Sequence, residues 1–196
     1  MELYIKLFEV LFPVFFIVAI GYFLGKKNPN FDTSFITTYS ANFGTPSIVI
    51  FSISASGVTF AMFSEYFLYA IILLTSFLIV GLIFLLLMKK DYLRELPTFF
   101  LPNTGNMGIP ICLFAYGKLG MGIAAAISSL VVLLHFTLNI FLAKREFDLN
   151  VIVKSPSFYA IIAAILFLYY EIPLPIFVLN TVMLLAYGMI VMILMS

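Results

Sequence analysis

This 196-residue chain has little charge, one cysteine, one histidine and no tryptophan. Asp, Glu, Lys and Arg make up only 10% of it, where a soluble domain carries roughly 25%. The formal net charge of +1 comes without a basic patch that could neutralise phosphates, so nucleic acid is not an expected partner. The single cysteine, Cys112, excludes an internal disulfide and reads as a small buried hydrophobe in an apolar run. No Asp or Glu falls in the middle of a hydrophobic segment, which leaves sodium or proton coupling through a carboxylate without an evident residue. No metal-ligand cluster or phosphate-cradling loop is present, and no cofactor is expected. Ser128 and His135 are two turns apart on one segment, about 10 Å by helix rise, too far for a nucleophile and its base. An enzyme is therefore not expected. The N-terminus lacks a basic stretch ahead of its first apolar run, so that run reads as a spanning helix and not as a cleaved signal.

Apolar residues are what the chain has in excess. Hydrophobic residues make up 64% of it, and the mean hydropathy is +1.19. A chain this short could not hide that much apolar surface from water, whereas a lipid bilayer solvates it. The expected fold is an all-α integral membrane protein of about seven transmembrane helices, over residues 3–24, 35–55, 65–88, 96–116, 120–143, 156–170 and 175–195. Lys26, Lys27, Lys89, Lys90, Arg94, Lys144, Arg145 and Lys154 fall after segments one, three and five, while only Lys6 and Lys118 fall on the other side. The positive-inside rule then puts the N-terminus outside and the basic loops in the cytoplasm of a cell facing its plasma membrane.

Segment two carries a stripe of small and hydroxylated residues, Thr33, Thr37, Ser40, Gly44, Ser47 and Ser54. Such a stripe is either a face for close helix packing or part of a substrate path. Pro46 within it predicts a kink. An ungapped alignment of Pro13 with Pro156 keeps the hydropathy in register and pairs Phe15 with Phe158 and Thr38 with Thr181. The two starts are five helices apart, so the second copy would be inverted in the membrane, as is common in secondary transporters. The domain reading is a first five-helix repeat over 1–148 and the first two helices of a second repeat over 149–196.

Segment four is interrupted. Pro97, Pro102, Gly105, Gly108 and Pro110 fall within one span. A proline in a helix interior costs about 3 kcal/mol or more, and each glycine adds roughly 1 kcal/mol relative to alanine. Irregular backbone at membrane depth survives only inside protein or beside a water-filled cavity. A break exposes carbonyls of the first half-helix and N–H groups of the second. Pro110 suits the first position of that second half, whose positive dipole end would point into the break. Asn103 and Asn106, three apart, can each donate and accept. They could bind a ligand, and the combination suits an anion such as a carboxylate; alternatively they only cap a kink. Segment five adds Ser128, Ser129, His135 and Asn139. His135 and Asn139 are one turn apart on a shared face, in either a functional or a structural hydrogen-bonding role.

The run Pro102-Asn103-Thr104-Gly105-Asn106-Met107-Gly108-Ile109-Pro110 resembles the Asn-x-Gly-Asn-x-Gly-x-Pro crossover of the auxin efflux carrier family, which includes plant auxin exporters and bacterial carriers linked to malate and malonate. Gly21-Tyr22 with Lys26-Lys27, Pro46, Ala115-Tyr116-Gly117, Leu134-His135 with Asn139, Ser155-Pro156 and Ile172-Pro173-Leu174-Pro175 extend the resemblance over essentially the whole chain. The resemblance implies ten helices in two inverted five-helix repeats, a scaffold part and a moving transport part, with substrate held between two crossing broken helices. By position, Asn103, Gly105, Asn106, Gly108 and Pro110 belong to the first crossover and its substrate site, with His135 and Asn139 beside it. On that pattern this chain covers about seven of the ten helices and stops before the second crossover. The expectation is a secondary transporter, an efflux carrier of small organic anions that is incomplete in this chain and open to a homodimer or a complementary chain; the alternative is a non-transporting membrane partner or a half-carrier remnant.

Overall fold

The computed structural model describes residues 2–144 and 152–196. Among these residues all regular secondary structure is helical. The chain opens with α1 (Glu2–Lys27) and turns through residues 28–33 into α2 (Ser34–Tyr39). Asp32 starts α2, its carboxylate accepting from the Ser34 backbone N–H at 2.8 Å and from Ser34 Oγ at 2.7 Å. A π-helical turn, Ser40–Gly44, carries α2 into α3 (Thr45–Ser54), so the bend expected at Pro46 is built from a widened turn just ahead of the proline. Next come α4 (Phe60–Leu87), the short α5 (Tyr92–Glu95) and α6 (Pro97–Phe100). A second π turn, Thr104–Gly108, leads into α7 (Ile109–Leu134), and a third, His135–Asn139, leads into α8 (Ile140–Lys144). The last two helices are α9 (Pro156–Tyr169) and α10 (Ile176–Met195).

Four stretches are long and apolar enough to cross a membrane: Leu3–Lys27, Phe60–Leu87, Tyr92–Leu142 and Ile176–Met195. The third, at 51 residues, would be more than twice the bilayer core if straight, at about 1.5 Å per residue against about 30 Å. It is not straight. Residues 101–103 have no helical winding, and Gly117 interrupts α7 with φ 69° and ψ −160°. Only glycine occupies that backbone region without a large penalty. Tyr116 and Lys118 therefore belong to different rods.

Helix α3 sits at the centre. Ile48, Val49, Phe51 and Ile53 are buried, and α3 packs on α7, α9 and α10. The facing surfaces are smooth, formed by Ala124, Ala125, Ala126, Ala164 and Ala186. Helix α1 packs on α10 and α7, and α4 packs on α7 and α6. In lipid, apolar burial gives helices little reason to associate, so close approach must supply the attraction. Four glycines provide it. A Cβ at Gly21 would overlap the Met195 backbone, at Gly44 the Met189 side chain, at Gly81 Phe99, and at Gly122 Ser56 and Val58. The outer surfaces of α1 and α4 present Phe8, Phe12, Phe15, Leu73, Val80 and Leu87, residues that hydrocarbon solvates.

Candidate functional site

Two prolines close off the region where segment four breaks. α6 ends at Phe100, and Leu101 turns out of the helix at φ −108°, ψ 84°. Asn103 is the centre of an inverse γ-turn, with φ −78° and ψ 70°, and the Thr104 N–H donates to the Pro102 carbonyl at 2.9 Å. Helical winding resumes at Thr104. Asn103 caps it twice. Its Oδ1 accepts from the Asn106 N–H at 3.3 Å, and its carbonyl accepts from the Gly108 N–H at 3.2 Å. Pro110 lies in the first turn of α7, but the winding begins six residues ahead of it as the π turn. Proline favours the first helical turn, so the sequence alone points to a start at Pro110. The asparagine cap three residues before Asn106 is the stronger signal.

This break opens into a cavity of about 310 Å³. Asn103, Thr104, Gly105 and Asn106 form one wall, Ser128, Val132 and His135 a second, and Thr37, Ser40 and Thr45 a third. The Thr104 and Ser128 hydroxyls are 3.0 Å apart and lace the first wall to the second. Asn103 and His135 are exposed and Asn106 is half-buried. The Asn106 side-chain amide has no hydrogen bond among the described residues. A Cβ at Gly105 would stand 3.4 Å from Ser128 Oγ, so glycine lets the π turn after the break lie close to α7. All three π turns contribute lining residues: Ser40 and Ala41 from the first, Thr104 to Asn106 from the second, His135 and Phe136 from the third. Single π turns concentrate at functional sites.

Of the residues picked from the sequence, Asn103, Gly105, Asn106 and His135 line this cavity. Gly108, Pro110 and Asn139 do not. Gly108 sits in the π turn against the Asn103 carbonyl. Pro110 faces a separate, apolar cavity of about 290 Å³ shared with Pro13, Val14 and Tyr187. Asn139 ends the third π turn, whose wider winding departs from the α-helical spacing that put it on the His135 face.

A family described as membrane transport protein, the auxin efflux carrier family, matches residues 6–152. The chain belongs to it. No curated protein and no solved structure matches the chain. This membrane transport protein is thus a multi-pass membrane protein from a transporter family, not an enzyme family. The matched residues include the break and all three π turns. In the transporter's cavity, Thr37, Ser40, Thr45 and Ser128 complete a polar lining that the break alone does not supply. Thr37 and Ser40 were visible in the sequence only as members of the segment-two stripe. That stripe splits: Ser40, Gly44 and Ser47 are buried, while Thr33, Thr37 and Ser54 are exposed.

Proposed function

We propose that this transporter carries small organic anions, with carboxylates as the substrate class, through the cavity at the segment-four break. One observation carries the reading: in an otherwise apolar bundle, the break places Asn103 and Asn106 side by side on a cavity at the start of a half-helix. The N-terminal end of that half-helix carries partial positive charge, which favours an anion. The asparagine amides supply neutral donors, so an anion could be held and released without a fixed opposite charge. Efflux from an inside-negative cell then needs no coupling carboxylate, since the membrane potential supplies about 2.3 kcal/mol per charge per 100 mV.

The same reading takes the chain across the plasma membrane seven times with the N-terminus outside, as a five-helix repeat over 1–148 and the start of an inverted one over 149–196. Two features support it. The α1–α10 pairing and the α3–α9 pairing exchange with one another when segments one and two are swapped with six and seven, as a two-fold axis requires. The loop at residues 57–60 also meets the loop at 171–174 around one cavity, which fits ends on the same side. A second copy or a complementary chain would close the open side of the polar cavity.

A thermal-shift screen of purified protein against acetate, malonate and malate tests the substrate class. Stabilisation by a carboxylate that is lost in Asn103→Ala supports it; equal melting temperatures with and without every probe would remove the carboxylate assignment.

A further inference from the structure

The break has a twin in segment two. Ser40-Ala41-Asn42-Phe43-Gly44-Thr45-Pro46 and Thr104-Gly105-Asn106-Met107-Gly108-Ile109-Pro110 share one pattern: a hydroxyl residue, a small residue, asparagine, a large apolar residue, glycine, any residue, proline. Each run winds as one π turn from the hydroxyl residue to the glycine. The shared cause is the proline, which brings no N–H and crowds the carbonyl four residues back; a wider turn relieves both. Both turns line the same cavity.

The twins use their polar groups in opposite ways. In the second turn the leading hydroxyl is already engaged, Thr104 with Ser128 at 3.0 Å. In the first turn it is the asparagine that is engaged, Asn42 Nδ2 donating to the Thr38 carbonyl of its own helix at 3.0 Å. The leading hydroxyl there, Ser40 Oγ, is buried without a hydrogen-bond partner, and the residue is only 8% exposed. Buried hydroxyls at membrane depth are nearly always paired, because water is not there to satisfy them. Ser40 and Asn106 both line the cavity, from segments two and four.

We infer that Ser40 is a ligand-binding residue of this cavity, its hydroxyl donating to an acceptor oxygen of the bound anion, and that the Ser40–Gly44 π turn is what presents it there. The inference rests on the carboxylate-carrier reading above and adds a binding group from a different segment. The break contributes Asn103 and Asn106 to the anion, and segment two contributes Ser40. A serine suits this place because its hydroxyl turns freely and carries no charge.

Two experiments on the full chain in proteoliposomes test it. In the first, uptake of radiolabelled malonate is measured for wild type, Ser40→Ala, Ser40→Thr and Asn42→Ala. Loss of a charge-assisted hydrogen bond predicts a KM raised about tenfold in S40A, recovery towards wild type in S40T, and an unchanged KM in N42A. An unchanged KM in S40A, beside a raised KM in Asn103→Ala, would overturn Ser40 and leave the break as the site. In the second, single cysteines are placed by Ser40→Cys or Ser52→Cys in a Cys112→Ser background and exposed to an anionic thiol reagent. Ser52 is also buried and unpartnered but lines the apolar cavity and not the polar one. S40C should react at least tenfold faster than S52C, and malonate should slow it. Equal rates would overturn the inference. If wild type carries no carboxylate, the carrier reading falls and the reagent rates alone decide Ser40.

Discussion

Thr104 Oγ1 and Ser128 Oγ stand 3.0 Å apart across the gap between the segment-four break and α7. Ser128 is 2% exposed, so removing its partner leaves a hydroxyl with neither water nor protein to bond. The expected cost of Thr104→Val is about 1–3 kcal/mol, the penalty for one unsatisfied buried group, and that of Ser128→Ala is smaller, because the hydroxyl it leaves, on Thr104, is half-buried beside the cavity. The double variant should lose less than the sum of the two. Thermal unfolding in detergent for all four proteins gives the coupling energy; strict additivity would show that the two hydroxyls do not act as a pair.

Gly117 divides α7 with a backbone that other residues avoid. A Cβ there would meet no neighbouring atom within 4 Å, so the cost of Gly117→Ala is purely conformational. It should destabilise by about 1–3 kcal/mol, visible as a lowered melting temperature, although the substitution adds a better helix former. A stabilised G117A would mean that residues 109–134 form one continuous rod.

Gly122 presents the opposite case. Its conformation is ordinary, but a side chain would collide with Ser56 and Val58. Gly122→Val should cost about 1–3 kcal/mol through overpacking. The trimmed partner Val58→Ala should restore part of that loss, which a double-mutant comparison by thermal unfolding can read.

Asp32 gives the pH-dependent prediction. The Ser34 backbone N–H and then the Ser34 hydroxyl hold its carboxyl below the usual aspartate range. A depressed folded value means that the cap is intact above the unfolded value and is lost as pH falls through the folded one. The residue is fully exposed, so the effect is confined to the first turn of α2. A carboxyl-carbon NMR titration should show Asp32 ionising below a free aspartate, and Ser34→Ala should move it upwards.

The sequence reveals elements where local chemistry is extreme. Pro97, Pro102, Gly105, Gly108 and Pro110 cannot all sit in one lipid-facing helix, so the break is readable without coordinates. The helix limits of segments one, two, six and seven are readable to within about three residues, whereas segment three begins five residues early, at Phe60, and the helices of segments four and five do not follow their apolar runs. What stays hidden depends on winding and on partners. Ser40–Gly44 shows no glycine excess and no second proline, so taken alone only Pro46 hints at a bend, and the π turn that puts Ser40 on the cavity is legible only through the likeness of residues 40–46 to residues 104–110. Asn139 was placed beside His135 by α-helical spacing, which the third π turn does not follow. The central position of α3 depends on the alanines of α7, α9 and α10 facing it, a relation between segments far apart in the chain. Gly117 is the reverse case: segments four and five already part between residues 116 and 120 in the sequence, and its φ supplies the reason.

Carboxylate flux in proteoliposomes tests the central claim most directly. With an inside-negative potential imposed, wild-type protein should release trapped malonate or malate saturably, and faster as the potential grows. Asn103→Ala and Asn106→Ala should each lower that flux at least tenfold while the proteins remain folded. Saturable flux that both variants preserve would contradict a substrate site at the segment-four break.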